Sequence, residues 1–145
     1  MGTSKVIYLG ELRTNAEHSL SKNSIITDAP PDNQGKGEAF SPTDLAATSL
    51  ASCMLTVIGI YARNNGIDMK GSHAGVTKIM STEGPRRIAG IDVDLHIVTE
   101  NALDDKQQEI FTRIARTCPV ALSLHPDINQ RIEVDFSTNV NKIIA

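Results

Sequence analysis

The sequence predicts a single α+β domain. Three features point there. Strand-like alternation recurs before, between and after two helical stretches, one of those stretches is apolar on every side, and aromatic residues make up only 3% of the chain. The core must therefore be built from small aliphatic side chains. At 145 residues the chain (1–145) is one domain by length, able to bury about two-thirds of the surface its unfolded form exposes. A net charge of -3, with basic residues scattered apart from Arg86 and Arg87, argues against an electrostatic grip on nucleic acid or an anionic membrane.

Val6 to Leu9, Ala16 to Leu20 and Ser24 to Thr27 read as an opening meander of three strands, separated by the polar groups RTN and SKN. The stretch DAPPDNQGKGEAF, residues 28–40, has two prolines, two glycines and no periodicity. A loop of that length in a compact domain is functional or disordered, and this one runs straight into a cysteine-bearing segment. Ser41 as N-cap, Pro42 at the first helical position and Asp44 three residues after the cap open a helix, and Asn65-Gly66 stops it. The helix is then roughly 23 residues, about 35 Å, long.

Ala74, Val76, Ile79 and Met80 mark a fourth strand, and Ile91, Val93, Leu95 and Ile97 a fifth, with EGPRR as the turn between them. Asp104 and Asp105 open a second helix with Ile110, Phe111 and Ile114 on one face. It ends at Thr117-Cys118-Pro119, because a residue before proline is pushed out of helical geometry. Pro119 then starts a short helix, VALSL, and Ile132, Val134 and Phe136 alternate as a sixth strand.

From Leu45 to Ala62 there are eighteen consecutive residues without a formal charge. That length approaches a bilayer span, but Thr48, Ser49, Ser52, Thr56 and Gly59 make it too polar for a lone one. No membrane partner is expected. A helix without a solvated face needs cover on all sides, and one sheet of about six strands covers only one. The expected cover is the same helix of a second chain, giving a homodimer, with Ala46, Ala47, Ser49, Ala51, Ser52 and Gly59 permitting close approach. The alternative is that the second helix of the same chain caps the first.

The segment holds Cys53, one of two cysteines. The N-terminal MGTSKVIYLGELR lacks a secretory apolar stretch, so a cytoplasmic location is expected, where a permanent bridge to Cys118 is disfavoured and any pairing is transient. A free cysteine is by default a small buried hydrophobe. Cys118, just before a helix-opening proline, occupies an N-cap-like position where N–H groups and the helix dipole stabilise a thiolate. Cys53 has no such local device and needs a cation from elsewhere. His18, His73, His96 and His125 show no ligand spacing with one another or with the cysteines, so no metal is expected.

Two stretches together, SPTDLAATSLASC and CPVALSL, resemble the OsmC/Ohr peroxidase family: a small-residue helix that begins Ser-Pro and carries a reactive cysteine, then a second cysteine before a helix-opening proline. The resemblance covers nearly the whole chain. It implies an OsmC-like intertwined α+β homodimer, antiparallel sheets wrapped around two central helices, with active sites at the subunit interface. It also implies thiol-dependent reduction of organic hydroperoxides, with Cys53 as nucleophile, Cys118 as resolving thiol, and an external thiol or dithiol reductant in place of a bound cofactor. Family members hold an arginine against the nucleophile and fix it with a glutamate directly after the helix-opening proline. Here that position is Thr43, and Asp44 reads as a cap. Arg13 is the candidate arginine and Glu38 the candidate anchor, with Lys36 and Arg63 as weaker candidates for the cation and His18 as a residue that could polarise a substrate. Two other readings stay open: a non-catalytic dimer that binds a small hydrophobic molecule, and a thiol redox sensor.

Overall fold

The structure, a computed structural model, describes residues 2–139. The chain forms two compact units, Met1–Ala46 and Ala47–Ala145.

In the first unit, β1 (Ser4–Gly10), β2 (Arg13–His18) and β3 (Ser24–Asp28) form an antiparallel sheet in that order. The meander expected from sequence is present, but β2 begins at Arg13, so RTN lies within the strand rather than between strands. The turn sits instead at Gly10, Glu11 and Leu12, all three with positive φ (87°, 54° and 62°). Polarity is a poor guide here because β2 is half-buried along Arg13–Glu17, so polar side chains fit either face. Val6, Ile7, Tyr8 and Leu9 of β1 are exposed within this chain. The unit ends in a complete cap. Ser41 Oγ accepts from the Asp44 N–H at 3.1 Å, and the Asp44 carboxylate accepts from the Ser41 N–H at 3.0 Å.

α1 spans Pro42–Asn64, the 23 residues expected. Its end is a Schellman motif: the Ile67 N–H reaches the Ala62 carbonyl at 2.8 Å, the Gly66 N–H reaches that of Arg63 at 3.2 Å, and Gly66 has φ +68°. Only glycine adopts that backbone without strain.

The second unit contains β4 (His73–Met80), β5 (Ile88–Thr99), α2 (Asp105–Arg116), α3 (Pro119–Ser123) and β6 (Asn129–Thr138). β4 pairs antiparallel with β5, and β5 pairs parallel with β6 through the α2–α3 crossover. The described strands therefore form two three-stranded sheets, not one of six, and the second sheet is mixed rather than antiparallel. The reason is connection length: α2 and α3 return the chain to the start of β5, which suits a parallel neighbour. α2 opens with a capping box, the Gln107 N–H to Asp104 Oδ1 at 2.8 Å and the Asp104 N–H to Gln107 Oε1 at 3.2 Å.

Leu50, Met54, Ile58 and Ala62 of α1 share one core with Ile91, Val93, Leu95 and Ile97 of β5 and Phe111 of α2. By length and composition α1 could cross a membrane, but these residues commit one stripe of it to the protein core. α2 covers part of a second side, with Tyr61 and Phe111 edge to face at 5.7 Å. Ser49, Ser52, Thr56, Ile60 and Arg63 form an exposed row within the chain.

Phe111 also meets Phe136 at 6.3 Å and is fully buried. In a core so poor in aromatics, Phe111→Ala is expected to lower unfolding free energy by about 3–5 kcal/mol. Denaturant melts of the two proteins would read this directly.

Candidate active site

The first unit holds a cluster around Arg13. Antiparallel register sets Arg13, at the start of β2, opposite Asp28, at the end of β3. Arg13 Nε donates to Asp28 Oδ1 at 2.7 Å and Nη2 donates to Oδ2 at 2.8 Å, a two-bond fork that fixes the guanidinium plane. Nη2 also donates to Glu38 Oε2 at 2.9 Å, and the Glu38 N–H returns to Asp28 Oδ2 at 3.0 Å. Asp28 is 2% exposed whereas Glu38 is 64% exposed, so the two carboxylates differ in kind. Asp28 is a buried anchor; Glu38 is a solvated second contact.

Arg13 holds the Asp28 carboxyl below its ordinary value of 3.8, chiefly by hydrogen bonding, with burial working the other way. A depressed carboxyl contributes its stability above the unfolded value and loses it on acidification through the folded one. The pair is thus held ionised to more acidic conditions than a free aspartate would be. In return both carboxylates raise the Arg13 pKa, Asp28 most strongly.

The long loop is folded back on itself to deliver Glu38. Pro31–Asn33 form a turn of 3-10 helix, the Gly35 N–H donates to the Pro30 carbonyl at 3.0 Å, and the Gly37 N–H donates to that of Ala29 at 3.2 Å. A Cβ at Gly35 would lie 1.7 Å from the Ala29 carbonyl oxygen, so no larger residue fits there without moving the loop.

Thr43, the position where the resemblance expects an anchoring glutamate, has its hydroxyl 3.2 Å from Ser41 Oγ, and Asp44 is the cap. The residue that sequence reasoning missed is Asp28. Its signal was its register: Arg13 and Asp28 lie symmetrically about the turn between β2 and β3, so antiparallel pairing places them face to face. Lys36 adds positive potential at Asp28. His18 Nδ1 lies 2.8 Å from Ser21 Oγ at an exposed strand end.

The second unit holds both cysteines as free thiols. Cys53 sits half-buried in the middle of α1, and Cys118 is 1% exposed. Cys118 is the N-cap of α3, its sulfur accepting from the Ala121 N–H at 3.4 Å, as the Cys-Pro signal predicts. The expectation of a stabilised thiolate at Cys118 fails, however. Burial pushes this thiol above its ordinary 9.0, outweighing the Ala121 N–H, and the nearby Cys53 side chain adds to the rise. The two side chains are thus close enough to influence each other, and burial favours the protonated form of Cys118.

A raised thiol pKa means that the folded chain retains a proton the unfolded chain gives up. Its stability contribution is whole below about pH 9 and declines as pH rises through 9.0 toward the folded value. Cys118→Ala should show a shallower alkaline loss of stability than the parent between pH 8 and pH 11, measured as denaturant midpoint against pH.

Among the described residues no group of three or more His, Cys, Asp or Glu is arranged to hold a metal ion. Arg63, at the exposed end of α1, borders an open pocket of about 600 Å³ together with Leu55, Gly59, Ile67 and Met69.

A family model described as "OsmC-like protein" matches residues 35–133. In sequence the chain is 23% identical over 114 residues to organic hydroperoxide resistance protein-like 1 of Staphylococcus epidermidis, covering 78% of this chain and 81% of the relative. Among solved structures it is similar to a protein of Psychrobacter arcticus named for osmotic stress induction and a detoxification response. That likeness has 58% identity and a TM-score of 0.86, and covers 93% of this chain and 96% of the other. An OsmC like protein from Mycoplasma pneumoniae, at 18% identity, shares the fold with a TM-score of 0.74 over 92% of this chain and 94% of the other.

Proposed function

The chain belongs to the OsmC-like protein family, and from that premise we propose that it is a thiol-dependent peroxidase that reduces organic hydroperoxides. The observation that carries this reading is the neighbouring pair of free thiols in one unit, Cys53 half-buried and Cys118 fully buried with its pKa raised by burial. Such a pair suits a division of labour. The Cys53 thiolate attacks the terminal oxygen of R–OOH, the O–O bond breaks, and the departing alkoxide takes a proton to leave as alcohol. Cys53 becomes a sulfenic acid. Cys118 then attacks that sulfur; its own proton and the sulfenic hydroxyl leave as water, and a Cys53–Cys118 disulfide remains. An external dithiol reduces it by exchange, so no resident cofactor takes part.

The first step needs a cation beside the nucleophile. We assign that role to Arg13, supplied by the same chain or by its partner, with Asp28 and Glu38 as its positioning residues. The anchored fork supports this assignment, since a guanidinium fixed in plane costs no reordering when it meets a thiolate. A homodimer acting in the cytoplasm completes the reading. Its support is the exposed row of α1, with Ser49, Ser52 and Thr56, and the exposed apolar residues of β1.

The pocket bordered by Leu55, Gly59, Ile67 and Met69 favours a second reading, a non-catalytic module that binds a small hydrophobic molecule. One assay separates the two. Purified protein with dithiothreitol and cumene hydroperoxide should consume the peroxide catalytically, many equivalents per chain, and faster than hydrogen peroxide. Consumption of no more than one equivalent would discard the peroxidase reading and leave the binding module.

A further inference from the structure

The last turns of α1 and the segment that follows them border the open pocket of about 600 Å³. Its floor is apolar. Leu55, Ile67 and Met69 are half-buried against the core of the second unit, and a Cβ on Gly59 would meet nothing within 4 Å but the Met69 sulfur, at 4.0 Å. The wall is fixed by backbone bonds: the Schellman pair ties Gly66 and Ile67 to α1, and the Ser72 N–H donates to the Met69 carbonyl at 3.0 Å. The rim is charged. Arg63 and Lys70 both line the pocket, and among the described residues neither cationic group has a hydrogen-bond or ion-pair partner. Asp68 is the one carboxylate on the lining, and its Oδ1 already accepts from the Lys70 N–H at 2.8 Å.

The pocket stands apart from the thiols. Leu55 and Gly59 follow Cys53 by two and six residues, so at about 100° per residue they point roughly 160° and 120° away from it around α1. Sulfur and pocket therefore occupy different flanks of one helix.

From this arrangement we infer a binding site for an amphipathic anion, a free alkyl carboxylate whose chain lies on Leu55, Gly59, Ile67 and Met69 and whose head meets Arg63 and Lys70. An apolar cleft with a few convergent polar groups is the usual form of a small-molecule site, and this volume falls within the roughly 300–1,000 Å³ that such sites span. Charge then selects among apolar ligands. Two unpaired cations against one engaged carboxylate leave the rim net positive, which favours an anionic head over a neutral one. Arg63 offers the planar fork that a carboxylate matches, and Lys70 a second point charge. The end of α1 carries partial negative charge, but the Tyr61, Ala62 and Arg63 carbonyls already accept from the Asn65, Ile67 and Gly66 N–H groups. Met69, unbranched and polarisable, lets the floor adapt to the chain. This ligand class goes beyond both readings above, and the site stands whether or not the thiols turn over peroxide.

Calorimetric titration of octanoate, with octanol as its uncharged match, into the full chain and into Cys53→Ser protein tests the inference. Both proteins should bind one octanoate per chain with equal affinity, and octanol at least about tenfold more weakly. Arg63→Gln and Lys70→Gln should each weaken octanoate by about three- to tenfold and leave octanol unchanged, and added salt should act in the same direction. Gly59→Leu, which fills the floor with a better helix former, should remove binding of both ligands while the chain keeps its helical circular dichroism. Equal affinity for octanoate and octanol, or octanoate affinity unchanged in both charge variants, would overturn the site. Loss of binding in Cys53→Ser protein would move the ligand to the thiols instead. Absence of octanoate binding, together with a Gly59→Leu chain that no longer self-associates in sedimentation, would give this face to a second copy of the chain and overturn it equally.

Discussion

Cys53→Ser is expected to bring hydroperoxide turnover down to the uncatalysed background, while Cys118→Ser is expected to complete one reduction and then stop. The difference follows from the chemistry proposed for each sulfur. Serine at 53 keeps the shape of the site but is not ionised near neutral pH, so no nucleophile meets the peroxide oxygen. At 118 the loss comes one step later. The Cys53 sulfenic acid forms, finds no second thiol, and with excess peroxide advances to the sulfinic acid, which dithiol does not reverse. Intact mass after a single addition of peroxide would show Cys118→Ser heavier by one oxygen, and after excess peroxide by two. A Cys118→Ser protein that turns over at the parental rate would remove Cys118 from the cycle. A Cys53→Ser protein that does so would remove the mechanism.

The second large effect is expected at Asp28. Asp28→Asn preserves volume but turns one acceptor edge of the Arg13 fork into an N–H donor, and at 2% exposure no water stands in for the lost oxygen. The guanidinium plane is then no longer held. Displacing a catalytic group by about 1 Å costs on the order of 10²-fold, and that is the loss expected in turnover and in the rate at which iodoacetamide alkylates Cys53. Glu38→Gln should change either rate by only a few-fold, because its contact is solvated. Arg13→Lys should resemble Asp28→Asn, since an ammonium cannot fill a two-bond fork. Parental alkylation rates in folded Asp28→Asn protein would mean that the cluster serves the first unit's stability alone.

Local signals in this sequence were read at the right residues. Ser41, Pro42 and Asp44 open α1, Asn65-Gly66 closes it, and Cys118-Pro119 places a sulfur on the cap of α3, because each rests on hydrogen bonds within a few residues. Non-local pairing was harder. The split into two sheets, the parallel β5–β6 pair and the early start of β2 depend on which strands meet, and alternation does not encode that. The same gap hid Asp28. For Cys118 the error was one of magnitude. The helix-cap N–H is present, but burial outweighs it, and exposure was not readable from a Cys-Pro dipeptide.

Peptide mapping of the protein after one equivalent of cumene hydroperoxide, quenched under acid without reductant, bears most directly on the whole account. A single cross-linked species joining the Cys53 and Cys118 peptides, two hydrogens lighter than their sum and restored to free thiols by dithiothreitol, is the predicted product. Recovery of both peptides as unmodified thiols after the peroxide has been consumed would contradict it.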